Sequence, residues 1–231
     1  MVQIMQVHTL KLPLSNAYLL ENEFGLYLVD TGAPGDAGRI RRRMEKLGRS
    51  DLRLIYLTHA HIDHFGAAAE LQRQTGAPIA IHPADAQDLA DGRTSLGSVR
   101  GRGRLIGGLL PVLERLLPPE SVQADLLVEE GTLFVDIGLP ARVIHTPGHT
   151  PGSSCLITEE GLVFAGDLVS TTGGPHPQRY FAHDWAQVRD NVKRLKELSP
   201  RLVYPGHGRR PLTGDEVTGL QLELHSTAQL K

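Results

Sequence analysis

The sequence predicts an α/β protein in which two β-sheets pack together and helices cover their outer faces. Three observations carry this. Short runs rich in Val, Ile, Leu and Tyr, bounded by Gly, Pro, Asn and Asp, recur along the chain as strands do. They fall into two groups, over residues 2–81 and 132–204. Within each group come segments whose apolar positions repeat at helical spacing. Two sets of strands accompanied by amphipathic helices bury one sheet face against the other and the remaining faces under helices. At 231 residues the chain fits a single domain, taken as 1–231, and its 40% apolar and 22% charged content is that of a globular protein.

In order, strands are expected around Val2–His8, Ala17–Glu21 and Gly25–Asp30, the last ending in the turn Asp30-Thr31-Gly32. Ile40, Met44 and Leu47 place a helix over 35–47, closed by Gly48, with Arg39, Arg41, Arg42 and Arg43 on its solvated face. Leu54–Leu57 is a buried strand, followed by a helix from Asp63 through Gln74, and Ile79–Ile81 is a further strand. The texture then changes. Residues 91–108 hold many Gly and Arg, and Leu109–Leu117 is a short apolar helix cut by Pro118-Pro119. An insertion at about 84–125 is therefore expected to cap the site, because long loops in compact domains are often functional. Strands at Thr132–Val135, Ala141–His145, Ser153–Thr158 and Leu162–Ala165 follow. Trp185, Val188, Val192, Leu195 and Leu198 define a helix, Arg201–Tyr204 a last strand, and 215–229 a closing helix with Asp215 at its start.

The formal net charge of -2 points to neither nucleic acid nor membrane. No stretch reaches the length of a membrane span, and the N-terminus lacks a basic start followed by an apolar run. The expectation is a cytoplasmic protein acting on a small molecule. The single cysteine, Cys155, excludes an internal disulfide and sits in a strand as a buried, inert thiol. Leu109, Leu110, Val112, Leu113, Leu116 and Leu117 either cover the site or pair with a second subunit.

The densest chemistry is Thr58-His59-Ala60-His61-Ile62-Asp63-His64, at the end of strand Leu54–Leu57. Imidazole and carboxylate are ligands for zinc and related divalent ions. His59 and His61, two apart in an extended segment, point to one side. The turn into a helix then lets Asp63 and His64 face a neighbouring point, so one short segment can serve two metals. Three later loops repeat a design of strand, then Gly or Pro, then a His or Asp: His145-Thr146-Pro147-Gly148-His149, Phe164-Ala165-Gly166-Asp167 and Tyr204-Pro205-Gly206-His207.

Asp30-Thr31-Gly32, the His-x-His-x-Asp-His of 59–64, His149, Asp167 and His207 together resemble the metallo-β-lactamase-fold superfamily, in its order and over nearly the whole chain. The resemblance implies a four-layer αββα sandwich of two mixed sheets with the site at one edge. It implies that His59, His61 and His149 hold one metal, that Asp63, His64 and His207 hold a second, and that Asp167 bridges them. Zinc is the default pair, and iron or manganese also suit mixed His/Asp sites. Two close cations acidify a shared water, so hydroxide can attack a carbonyl or phosphoryl centre near neutral pH. Asp63 and Asp167 are the catalytic candidates, and the leaving group takes its proton through Asp63 or a metal-held water. Asp30 is a candidate to orient a ligand. His8, His82, His145 and His225 are assigned structural or exposed roles, whereas His176, Arg179, Tyr180 and His183 are candidates for the substrate mouth.

Within the superfamily, zinc β-lactamases lack an acid at the place of Asp167, and the nucleases carry an inserted domain or further His motifs absent here. The core is close to that of glyoxalase II and acyl-homoserine lactonases. However, few residues follow His207 to grip glutathione, and Leu168-Val169-Ser170 stands where lactonases place a Tyr. The reading is a dinuclear metal-dependent hydrolase of a small ester, thioester or lactone. The alternatives are a mononuclear iron persulfide dioxygenase using His59, His149 and Asp167, or a phosphodiesterase.

Overall fold

The apolar runs of the N-terminal half pair into one sheet and those of the C-terminal half into another in the computed structural model, which describes residues 5–222. The first half runs β1 (Gln6–Lys11), β2 (Asn16–Asn22), β3 (Gly25–Val29), α1 (Ala37–Lys46), β4 (Leu52–Tyr56), α2 (Ile62–Phe65), α3 (Ala68–Thr75), β5 (Ile79–Ile81), α4 (Pro83–Asp91), β6 (Ser98–Val99), α5 (Gly103–Leu116) and β7 (Leu126–Leu127). The second runs β8 (Ala141–His145), β9 (Ser154–Thr158), β10 (Leu162–Ser170), β11 (His176–Pro177), β12 (Phe181–Ala182), α6 (Trp185–Glu197), β13 (Leu202–His207), β14 (Leu212–Thr213) and α7 (Gly214–Thr218).

Sheet one has the order β1-β2-β3-β4-β5-β7, antiparallel through β3 and parallel beyond it. Sheet two has the order β14-β13-β10-β9-β8, with β11 on β10 and a parallel β10–β13 pair. Both are mixed sheets. Their strands read as continuous apolar runs because both faces are covered. Along β4, Leu54 and Tyr56 face the inter-sheet core with Tyr18, Leu156, Phe164 and Tyr204. Ile55 and Leu57 face the helix side with Ile40, Phe65 and Leu71. On the far side, Val188, Val192 and Leu195 of α6 cover Ile144, Val163 and Val203. The layers are thus helix, sheet, sheet, helix, the αββα sandwich. Among the described residues no helix is long and apolar enough to cross a membrane.

Several expected elements differ. The helix after the His cluster breaks at Gly66-Ala67, because a side chain at Gly66 would meet the Ile62 carbonyl and Pro34, and Ala67 N–H donates to Thr31 Oγ1. Thr132–Val135 is not a strand. Leu133 makes a single bridge to Arg142 before a 3-10 turn at Val135–Ile137, which ends at Gly138 with φ of 83°. The expected insertion opens with a helix, α4, over residues 83–91, whose Leu89 is fully buried. The apolar helix starts earlier than expected, at Gly103, in a Gly-Arg-Gly-Arg run of weak intrinsic propensity. Packing holds it there, since Gly103 lies against Tyr180 and Phe181. The closing helix begins one residue before Asp215, is capped by Thr213 in a reciprocal pair with Glu216, and ends at Thr218 with Gly219 as its C-cap, so residues 219–222 of the expected helix are not helical. Val2, His225, residues 223–229 of that expected helix and the Leu113 side chain lie outside the described residues.

Candidate metal centre

β3 and β4 are parallel, so Asp30 and His59 leave sheet one at the same edge. β8 runs antiparallel to β9 and β9 antiparallel to β10, so β8, β10 and β13 also share a direction, and the His149, Asp167 and His207 segments leave sheet two together. Parallel topology is therefore what makes four strand-end motifs, distant in sequence, converge. His61 is the extended residue that starts α2, whose first turn carries Asp63 and His64. Asp167 sits inside β10, beside Gly166 at φ of 48° and a register shift against β13. This irregularity re-aims the carboxylate.

All seven candidate ligands come together. His59, His61 and His149 form one group, His59, His64 and Asp167 a second, and Asp63, His64 and His207 a third, each with ligand atoms within 4.8 Å of one another. His149 Nε2 is 3.2 Å from His59 Nε2 and 3.1 Å from His61 Nδ1. Asp167 Oδ2 lies 3.5 Å from His149 Nε2 and 3.2 Å from His207 Nε2, between the two clusters. Asp63 Oδ2 is 3.4 Å from His207 Nε2 and 3.6 Å from His64 Nε2. At Gly206 a Cβ would lie 2.5 Å from Asp167 Oδ1 and 2.6 Å from the His64 ring, so only glycine allows this approach.

The outer ring atoms fix the tautomers. His64 Nδ1–H donates to Asp30 Oδ2 at 2.8 Å, and His59 Nδ1–H donates to Thr58 Oγ1 at 3.0 Å. The Thr58 hydroxyl in turn donates to Asp30. His61 Nε2–H donates to the Ser95 carbonyl at 2.9 Å and His149 Nδ1–H to the Phe181 carbonyl at 2.9 Å. The nitrogens facing the centre thus present lone pairs to one another at hydrogen-bond distance with no proton between them. Among the described residues, His64 Nε2 and Asp167 Oδ1 are buried and make no hydrogen bond, and they face each other at 3.4 Å. Converging lone pairs and buried ligand-type atoms that make no hydrogen bond are what a cation requires, and separations of 3.1 and 3.2 Å fit ligands bonded at roughly 2.0–2.1 Å to one tetrahedral ion. The residues therefore fit a divalent pair, with Asp167 the shared carboxylate. One carboxylate, Asp30, orients an imidazole of each cluster, and φ of 57° lets it turn inward from β3.

Charge separates the clusters. Burial drives His59 well below the usual imidazole value, lowers His61 and, with His61 beside it, takes His149 down to about 3. These rings are neutral and ready to ligate. Burial also opposes protonation of His64 and His207, but their carboxylate neighbours outweigh it. Asp63, Asp30 and Asp167 hold His64 well above the usual value, and Asp167 and Asp63 raise His207 to about 8. Burial of Asp167 is likewise outweighed, by His207 and His64, and its carboxyl lies well below the carboxylate range.

Three contributors escaped sequence reasoning. Asp85, buried in the first turn of α4, accepts from Ala60 N–H at 2.9 Å, Thr150 Oγ1 at 2.7 Å and Gly152 N–H at 2.6 Å, tying the His59–His61 segment to the His149 loop. Thr58 relays between His59 and Asp30. Gln178 donates to the Asp167 carbonyl at 3.2 Å and accepts from Arg179 and Tyr180 N–H. An acid in a first helical turn was a readable signal for Asp85, whereas Gln178 had none. Of the mouth candidates, His176 and Tyr180 line a cavity of about 420 Å³ that opens on His61, Asp63, Asp167 and His207. Leu14, Leu96, Leu110 and Phe181 give that cavity an apolar wall. Arg179 stacks on Tyr180 at 5.1 Å, and His183 Nε2 contacts the Ser95 carbonyl at 3.1 Å. His8 pairs with Glu21, and His82 stacks on His145 at 3.8 Å, away from the centre.

A profile of the metallo-beta-lactamase superfamily matches residues 11–207. The probable metallo-hydrolase YflN of Bacillus subtilis (strain 168) is 30% identical over 232 residues, covering 90% of this chain and 85% of its own. Hydroxyacylglutathione hydrolase GloC of Haemophilus influenzae is 28% identical over 199 residues, covering 85% of this chain and 86% of its own. The solved structure of BLEG-1 B3 metallo-beta-lactamase is 26% identical and superposes with a TM-score of 0.72, over 94% of this chain and 97% of that one. The chain belongs to the metallo-β-lactamase superfamily and is a metal-dependent hydrolase.

Proposed function

We propose that this superfamily member uses a divalent metal pair to hydrolyse a small acyl ester, thioester or lactone. The observation that carries the reading is the meeting of two ligand clusters at Asp167, on the floor of a cavity with an apolar wall. His59, His61 and His149 would hold one ion, Asp63, His64 and His207 the other, and Asp167 both. A bound pair supplies an acidified water and a positive charge that polarises the scissile carbonyl. Around it, the chain's own groups position and protect. Leu96, Leu110 and Phe181 exclude water from the acyl arm, and Tyr180 and His176 border the entrance. Asp63, the most exposed of the ligand carboxylates, is placed to carry a proton to the departing thiol or alcohol. The 94–96 stretch and the inner side of α5, through Gly107 and Leu110, cap the site. Ser95 holds His61, Thr94 Oγ1 accepts from Ile62 N–H at 3.0 Å, and β6 pairs with β12 beside the cavity. Likeness to GloC, a hydroxyacylglutathione hydrolase, favours the thioester among the three substrates.

The test is elemental analysis of protein purified without added metal, followed by a thioester, lactone and phosphoester panel. About two metal ions per chain with thioester or lactone turnover is the expected result. Asp167→Ala should lose about one ion per chain and most of the activity. One iron per chain with oxygen consumption on a persulfide would overturn the hydrolytic reading, and unchanged metal content in the variant would remove Asp167 from the bridge.

A further inference from the structure

We propose that the outer face of α5 docks on an anionic lipid surface, bringing the cavity mouth to substrates whose acyl chains partition into lipid. The second clause rests on the acyl-hydrolase reading; the docking itself does not. α5 is apolar on two opposite sides. Gly103, Gly107, Leu110 and Glu114, spaced four, three and four, form the inner side. Gly103 lies on Tyr180 and Phe181, and Gly107 and Leu110 wall the cavity. Leu105, Leu109, Val112 and Leu116, with the same spacing, are 74%, 66%, 54% and 72% exposed. At about 100° per residue these two stripes lie roughly 200° apart. A contiguous exposed apolar stripe rimmed by polar residues marks an interaction surface, so the outer stripe calls for a partner.

Charge around the stripe selects that partner. From 92 to 117 the chain carries Arg93, Arg100, Arg102, Arg104 and Arg115 against one acid, Glu114, and Glu114 is on the inner side. Arg93 is paired with Asp91, and Arg100 lies 4.1 Å over the Trp185 ring. Arg102, Arg104 and Arg115 are exposed and make no ion pair among the described residues. Arg104 and Arg115 are eleven positions apart, three turns, and so flank the stripe along one side. A second copy of the chain on this face would set arginine against arginine. It would also find on the order of 500 Å² of apolar surface, short of the roughly 800 Å² per partner of a stable interface. An anionic lipid surface meets both features, with leucines entering the headgroup boundary and guanidinium groups at the phosphates. The whole-chain charge of -2 averages this local basic rim away.

The experiment is flotation of the full chain with vesicles of phosphatidylcholine alone or with added phosphatidylglycerol. Three free arginines predict about a hundredfold stronger partition onto the anionic vesicles, weakened by salt. Leu105→Glu/Leu109→Glu and Arg102→Glu/Arg104→Glu should each lower it at least tenfold. Their turnover of a soluble short-chain thioester should be unchanged, because none of these four residues lines the cavity. Equal binding to both vesicle types, or binding that survives both variants, would overturn the proposal. So would a dimer in sedimentation equilibrium that Leu105→Glu/Leu109→Glu dissociates, since the second copy would then be the cover. Failure of the hydrolase reading shows instead as absent thioester turnover with vesicle binding intact.

Discussion

Asp85→Asn should loosen the metal centre without touching a ligand. The Asp85 carboxylate is 1% exposed and has three donors: Ala60 N–H and Thr150 Oγ1 on Oδ2, and Gly152 N–H on Oδ1. Asparagine keeps the shape but has one oxygen. If that oxygen serves Ala60 and Thr150, the amide NH₂ faces the Gly152 N–H, donor against donor. One hydrogen bond to a charged acceptor is lost and a buried N–H is left unpaired, at about 2–4 kcal/mol in total after the relief of burying a neutral group. For a chain of this size that lowers Tm by about 5–15 °C. Because Ala60 lies between His59 and His61, and Thr150 follows His149, retention of the metal they share should fall about 10–100-fold. Thermal unfolding of the metal-loaded protein, and metal content after dialysis against graded chelator, read the two effects. A Tm within about 1 °C of the parent would refute the hydrogen-bond reasoning. A lower Tm with unchanged metal retention would refute the claim that Asp85 acts on the ligand loops.

Three further outcomes follow from protonation. Ligation needs neutral imidazole. Burial holds the His59, His61 and His149 rings below the usual imidazole value, His149 down to about 3, which favours their neutral form, whereas His207 is raised to about 8 and His64 well above its usual value. Metal-stripped protein should therefore take up about one ion per chain at pH 6 and a second as pH rises through about 8, with calorimetry showing proton release on the second step; equal pH dependence of the two steps would contradict the assignment. Without metal, the raised His207 stabilises the fold below its unfolded value near 6.5, and that contribution is lost as pH rises through about 8. Cys155 is buried, and burial pushes its thiol up to about 12, so the native protein should resist alkylation at pH 8 and take one equivalent in denaturant; rapid native labelling would show that the strand opens.

The candidate ligands were legible because each lies at or close to a strand end whose local pattern, an apolar run and then a His or Asp, mostly beside Gly or Pro, is complete within a few residues. The buried strand at Leu54–Leu57 was legible for the same reason. What escaped is what depends on partners far along the chain. Asp85 is 25 residues from Ala60 and 65 from Thr150, and Gln178 is 11 from Asp167. No local pattern of the sequence announces those pairs. α5 escaped at its start because its glycines are placed by Tyr180 and Phe181 rather than by propensity. The same division runs through the chemistry. Local pattern names the atoms that would hold a metal, and long-range contacts decide how firmly each is held. Asp30 shows the two joined. It was readable as a turn acid after a strand, but a single carboxylate restraining His64 directly and His59 through Thr58 couples the two clusters, so a change at Asp30 reaches both clusters at once.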